Sequence, residues 1–215
     1  MHCRYCFRRH FPYADANPST DQWREALAYI AGDNSIHEVI LSGGDPLALS
    51  DQKLASFALQ LAKISHVTRL RIHTRLPIVL PERVDDALLT WLQTTPLKTV
   101  VVVHANHANE IDTNVRAALA RLMQVNITLL NQSVLLRGVN DNVDTLAALS
   151  EALFSANVLP YYLHMLDKVQ GAMHFEVDES TAREIMAQLN ARLPGYLVPR
   201  LVREIAGAQG KTLVV

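Results

Sequence analysis

Short apolar runs rich in β-branched residues alternate along the chain with longer stretches in which Leu and Ala recur at i, i+3 and i+4. A strand turns successive side chains to opposite faces, whereas a helix gathers residues three or four apart onto one stripe. The two kinds of run therefore predict different elements. Strands are predicted at 38–42, 69–74, 99–104, 127–131, 158–163 and 200–205, and helices at 21–31, 51–63, 82–93, 112–124, 144–156 and 178–192. Five of the six helical stretches open on Asp (Asp21, Asp51, Asp112, Asp144 and Asp178). An Asp carboxylate accepts hydrogen bonds from the free N–H groups of a first turn, which favours it at helix starts.

The first five strand starts recur about every 30 residues, the length of one strand–helix unit. Such repetition implies parallel strands, wound by right-handed crossovers into an open sheet or a barrel. The run Val100-Val101-Val102-Val103 suits a strand covered on both faces. No Ser/Gly-rich linker or change of composition divides the chain, so one α/β domain is expected over 1–215.

Polar residues collect where the predicted strands end: Ser42-Gly43-Gly44-Asp45, His73-Thr74-Arg75, His104-Ala105-Asn106-His107, Asn131-Gln132-Ser133, then His164, Asp167 and Glu204. In parallel α/β sheets, ligands meet the chain at the C-terminal ends of the strands. That edge is the expected active site.

Composition narrows the partners. The 215 residues carry 20 Lys and Arg against 21 Asp and Glu, a formal net charge of -1, which gives no basic face for nucleic acid. No apolar run approaches the roughly 20 residues that span a bilayer. The first residues, Met1-His2-Cys3-Arg4-Tyr5-Cys6, do not read as a signal or transit peptide, and two cysteines are too few for a disulfide scaffold. A cytoplasmic protein with no nucleic-acid or membrane partner is expected.

Both cysteines fall within the first six residues, as Cys3-Arg4-Tyr5-Cys6 followed by the basic run Arg8-Arg9-His10. A CxxC alone suits half a zinc site, a thiol redox pair or part of an iron–sulfur site. The neighbouring cations favour thiolates and can hold an anion. In Ser42-Gly43-Gly44-Asp45-Pro46-Leu47, adjacent glycines let the backbone approach a ligand closely. Gly207-Ala208-Gln209-Gly210-Lys211-Thr212 lacks phosphate-loop spacing, but a lysine on such a loop can form a Schiff base.

Together with Asn131-Gln132-Ser133-Val134-Leu135-Leu136 and Pro160-Tyr161-Tyr162, these motifs resemble the lysine 2,3-aminomutase family of radical S-adenosylmethionine enzymes. The resemblance runs in order over nearly the whole chain. Tyr161-Tyr162-Leu163-His164 and Asp167-Lys168-Val169-Gln170-Gly171 are most similar to the branch that makes (R)-β-lysine, which a separate ligase attaches to elongation factor P. The resemblance implies an incomplete (β/α)6-type partial barrel without its first strand. It also implies a [4Fe–4S] cluster, S-adenosylmethionine, pyridoxal 5′-phosphate and an electron donor. Lysine is the implied substrate, its α-amino group migrating to the β-carbon, and the chain could oligomerise.

Residue by residue, the resemblance implies that Cys3 and Cys6 ligate the cluster and that Gly43, Gly44 and Asp45 bind S-adenosylmethionine, with His104 and Gln132 at the same cofactor. Lys211 would carry pyridoxal phosphate, Arg8 would clamp the substrate carboxylate, and Asp167 and Glu204 would grip its side-chain ammonium. The family's cluster takes three cysteines spaced CxxxCxxC, and the sequence holds two cysteines. The expectation is therefore an N-terminally truncated and impaired form. Two other readings remain: a catabolic lysine 2,3-aminomutase, and a non-catalytic remnant that binds pyridoxal phosphate through Lys211.

Overall fold

In a computed structural model, residues 3–6, 20–125 and 127–214 are described; Arg8 lies outside them. Helix α1 (Thr20–Gly32) precedes β1 (Glu38–Leu41), α2 (Asp51–Leu61), β2 (Arg69–Thr74) and the single turn α3 (Leu76–Val79). There follow α4 (Asp86–Thr94), β3 (Lys98–Val103), α5 (Thr113–Met123), β4 (Thr128–Val134) and α6 (Val143–Phe154). The order closes with β5 (Leu159–His164), α7 (Glu179–Arg192), β6 (Arg200–Arg203) and β7 (Thr212–Leu213). The strands form one sheet in sequence order, β1 to β6 parallel and β7 antiparallel to β6. The expected α/β partial barrel is thus a curled sheet of seven strands.

The predicted elements hold, with shifts that have local causes. The helix expected at 82–93 begins at Asp86, because Pro81 opens a 3-10 turn and the Asp85 carboxylate then accepts from Leu88 N at 2.9 Å. Asn142, not Asp144, caps α6 by accepting from Thr145 N at 2.9 Å. Asp112 and Asp178 cap α5 and α7 as expected. Asp51 instead accepts from Arg83 and from the Trp91 indole, both at 2.9 Å, and so ties α2 to α4. The chain does not end its sheet at β6. Gly207, at φ 82°, turns it back, and Lys211 immediately precedes the short strand β7.

The outer face of the sheet carries the core. Leu70, Ile72, Val101, Val103 and Leu129 pack under Leu54, Leu61, Leu88, Leu119 and Leu122 from α2, α4 and α5. A second cluster joins Leu163 and Leu201 to Leu146 of α6 and to Ile185 and Leu189 of α7. Each such side chain contributes roughly 1.5–3 kcal/mol on burial. Because outward positions are filled this way, the alternate positions Arg71, His73, Val102, Gln132 and His164 turn to the concave face. On β5 a bulge keeps this phase: Asn131 pairs with Pro160 and Gln132 with Tyr162, leaving Tyr161 as the extra residue. The rings of Tyr161 and Tyr162 then lie on the same side, 3.8 Å between centroids. Beyond it Leu163 is fully buried outward and His164 faces in. Bulges of this kind re-aim side chains next to active sites.

Candidate functional site

The loop after β1 is built on a strained backbone at Asp45. Asp45 has φ 90° and Gly43 φ 130°, a region an L side chain rarely adopts. Three hydrogen bonds hold Asp45 there. Its Oδ1 accepts from Thr74 Oγ1 at 2.7 Å and from Leu47 N at 3.1 Å, and its Oδ2 accepts from Arg75 N at 2.7 Å. The carboxylate therefore clamps the loop to the end of β2 and leaves Gly43 and Gly44 exposed.

Arg75 joins this loop to the two cysteines. Its Nη1 donates to Cys3 Sγ at 3.1 Å and to Tyr5 Oη at 2.8 Å, while Nη2 donates to Glu110 Oε2 at 2.7 Å. Glu110 accepts from the Asn106 and His107 backbone N–H groups at 2.7 and 3.1 Å, and Asn106 donates to Tyr5 Oη. Burial raises the Tyr5 hydroxyl above its ordinary value, against the pull of Arg75. Asn140, with no exposed surface, donates to Asn106 O and Val134 O at 2.9 Å and accepts from Leu136 N at 2.7 Å. These buried amides fix the segments after β3 and β4.

Cys3 and Cys6 share one turn, closed by Cys6 N donating to Cys3 O at 3.0 Å, and both are partly exposed free thiols. The Arg4 guanidinium stands 5.5 Å from the Phe175 ring centre. Two thiols match two ligands of the implied cluster. Among the described residues, however, no group of three Cys, His, Asp or Glu side chains gathers to hold a metal ion. The complete three-cysteine site is not supplied by these residues.

Histidines line the middle of the concave edge. His104 Nε2 lies 2.9 Å from Gln132 Nε2, and the His73 and His104 rings meet edge-on at 6.0 Å. Burial, with His73, Arg75 and His164 acting in the same direction, pushes His104 down to about 3. It is a neutral imidazole at physiological pH. Gln132 Oε1 is buried without a hydrogen-bond partner, so the pair retains an unused acceptor for a polar ligand.

At the far end of the edge, the β6–β7 hairpin brings Lys211 against Glu204. Arg203 pairs with Thr212, and Lys211 Nζ donates to Glu204 Oε1 in an ion pair. The same Nζ lies 5.7 Å from the Tyr162 ring centre. That hydrogen bond holds the Glu204 carboxyl below its ordinary range. Burial, and then Glu204, raise Asp167, with Lys211 opposing them. Burial and then Lys211 lower His164 to about 4, and its Nε2 is buried without a partner.

The structure thus brings Cys3, Cys6, Gly43, Gly44 and Asp45 together at one end, His104 and Gln132 in the middle, and Asp167, Glu204 and Lys211 at the other. The sequence pattern gave no role to Arg75, Tyr5, Glu110 or Asn140. Arg75 was visible as a charge at a strand end, but Glu110 ends a short 3-10 turn and Asn140 lies in a loop, neither within a motif read from the sequence.

A family model described as the radical SAM superfamily matches residues 1–149. The chain belongs to that superfamily. It is 54% identical over 212 residues to an L-lysine 2,3-aminomutase of Escherichia coli, covering 99% of this chain and 62% of the relative. It is 55% identical over 214 residues to one of Haemophilus influenzae, covering 99% and 63%. The chain therefore spans somewhat under two thirds of the length of these relatives. Among solved structures, Streptococcus suis SuiB bound to S-adenosylmethionine superposes with a TM-score of 0.65 at 12% identity, over 95% of this chain and 48% of that one. At that identity the likeness concerns the fold. No helix among the described residues is long and apolar enough to cross a membrane.

Proposed function

We propose that this chain is the radical S-adenosylmethionine core of an L-lysine 2,3-aminomutase, an isomerase that moves the amino group of lysine from the α- to the β-carbon. The observation that carries the reading is the placement of Lys211, Glu204 and Asp167 on the same sheet edge as the Gly43–Gly44 loop and the Cys3–Cys6 turn. The chain's similarity to the two L-lysine 2,3-aminomutases supports it. In this reading S-adenosylmethionine supplies a radical that abstracts hydrogen, and pyridoxal phosphate supplies a carrier for the migrating nitrogen.

The chain's own residues fit these groups. Gly43 and Gly44 offer backbone carbonyls as acceptors for the methionine amino group, held out by the Asp45 clamp. His104 and Gln132 offer uncharged donors and acceptors to the nucleoside, matching the buried and unpartnered Gln132 Oε1. Lys211 holds the aldehyde cofactor at the mouth of the hairpin. Asp167 and Glu204 provide negative charge for a side-chain ammonium and disfavour a glutamate carboxylate. Arg8 belongs to this reading as the partner of the substrate carboxylate.

Within the family we place the chain in the β-lysylation branch, with a ligase for elongation factor P as consumer of the product and an external electron donor for the cluster. The support is the resemblance of the runs Tyr161–His164 and Asp167–Gly171 to that branch.

The test is anaerobic incubation with iron, sulfide, S-adenosylmethionine, pyridoxal phosphate and a reductant, comparing L-lysine with ornithine and glutamate. Expected are a visible pyridoxal band that Lys211→Ala removes, little β-lysine from this chain because it supplies two of the three cluster thiolates, and β-lysine alone from a form that carries the third. A band indifferent to that substitution, or β-glutamate as product, would overturn the reading.

A further inference from the structure

The β6–β7 hairpin places a cation and a cation-binding pair within one another's reach. Register pairing of Arg203 with Thr212 sets Glu204 and Lys211 at the mouth of the turn, seven residues apart in sequence. Glu204 is about half exposed and Lys211 a quarter exposed, so a small ligand reaches this site from solvent. The group around Nζ is one that recognises any primary ammonium. It has the Glu204 carboxylate, an aromatic face from Tyr162 at 5.7 Å, and the Asp167 carboxyl near enough to respond to both charges. Among the described residues, His164 also lies close enough to feel Lys211, and as a neutral imidazole it does not repel a cation. As an ammonium, Lys211 fills the place that the reading above gives to the substrate ammonium.

We propose that Lys211 is its own competitor: its ammonium occupies the Glu204–Asp167 cation subsite, and capture of its nitrogen by an aldehyde releases that subsite for an external primary ammonium. This rests on the reading of Lys211 as the aldehyde-binding lysine. In the capture step the aldehyde carbon bonds to Nζ as C=N. The carbonyl oxygen leaves as water with two of the ammonium's three protons, and the third goes to solvent. The nitrogen then has no N–H left for Glu204. Glu204 and the neighbouring Asp167, which already feels its charge, are then left without a counter-ion, a condition that a bound cation relieves. Aldehyde loading thereby comes before cation binding, and the order is written into the hairpin.

The test needs neither cluster nor turnover. Cadaverine, a diamine without a carboxylate, is titrated calorimetrically into the protein in the absence of pyridoxal phosphate. Lys211→Met is expected to bind it about fivefold more tightly than the wild type, the scale of a partly exposed ion pair. Lys211→Arg keeps a cation on Glu204 and is expected to bind as weakly as the wild type. The double variant Lys211→Met/Glu204→Gln should lose the gain. Equal affinity of wild type and Lys211→Met, or a gain that survives Glu204→Gln, overturns the proposal. The pyridoxal band and its dependence on Lys211 are read separately, so failure of the aldehyde assignment is distinguishable from failure of the competition.

Discussion

Asp45 and Thr74 are joined by a 2.7 Å hydrogen bond from the Thr74 hydroxyl, and that bond holds Asp45 at φ 90°. A non-glycine residue in such a conformation costs on the order of 1–3 kcal/mol, offset here by the three donors on its carboxylate. Thr74→Val removes one donor and should lower unfolding stability by about 1 kcal/mol. Asp45→Ala removes all three bonds and should cost about 2–3 kcal/mol. Asp45→Asn should fall between them, since its NH2 would face the Arg75 N–H. Urea unfolding gives the order, and amide exchange at Leu47 and Arg75 should quicken in the same sequence. A Thr74→Val protein with unchanged exchange at both amides would show that the loop holds without the clamp.

How much of this was legible beforehand depends on the range of the interaction. Strand β2 was predicted with its observed ends, because Leu70 and Ile72 alternate with polar residues as a half-buried strand must. The Gly43-Gly44 turn and the CxxC were legible as motifs, since each is local, whereas roles for His104, Gln132, Asp167 and Glu204 came only from the family resemblance. The Asp45 clamp was not, because Thr74 and Arg75 are 29 and 30 residues away and their spacing carries no signal. β7 escaped for a different reason: two exposed residues make no hydrophobic period, and only pairing with β6 defines them as a strand. The Tyr161 bulge reverses the alternation of β5 without any Gly or Pro to announce it.

Arg75 is expected to resist conservative replacement. Its guanidinium meets Cys3, Tyr5 and Glu110 in three directions at once, a geometry an ammonium on a straight stem does not reproduce. Arg75→Lys should therefore lose most of what Arg75→Leu loses, on the order of 1–3 kcal/mol at this partly buried site. Thermal unfolding of both variants measures it. Wild-type stability in Arg75→Lys would show that one contact suffices.

Acid should destabilise the fold before its carboxylates titrate. Burial holds His104 at about 3, far below the ordinary histidine value of 6.5. The unfolded chain then binds a proton that the folded chain refuses, between those two values. Stability is thus fully present above about pH 6.5 and falls as pH drops towards 3, by up to about 1.4 kcal/mol per pH unit for each such histidine. His164, held at about 4 chiefly by burial, adds to the slope over a narrower range. Between pH 6.5 and 5 most unfolded-state carboxylates are already ionised, so that window reports the histidines. Urea midpoints measured across it should fall, and His104→Gln should flatten the decline. An unchanged slope in that variant would assign the acid sensitivity elsewhere.

Asp167 is expected to serve binding at the expense of stability. Burial and the neighbouring Glu204 raise its carboxyl above the usual range, so the folded chain holds its proton more tightly than the unfolded one. The sign is opposite to that of His104: stability is lost as pH rises past the unfolded value and the folded carboxyl is made to ionise. At neutral pH an ionised Asp167 is therefore a small net cost, and Asp167→Asn should stabilise the protein by a few tenths of a kcal/mol, up to ~1 kcal/mol, as this half-buried group is partly screened. The same substitution removes one of the two charges facing a cation. In Lys211→Met, which keeps both carboxylates, cadaverine affinity should rise as pH carries Asp167 through its ionisation, whereas Lys211→Met/Asp167→Asn should bind more weakly and with a flatter pH dependence. Thermal unfolding and calorimetry on the same samples separate the two effects. A variant that loses both stability and affinity would make Asp167 a structural carboxylate instead of a binding one.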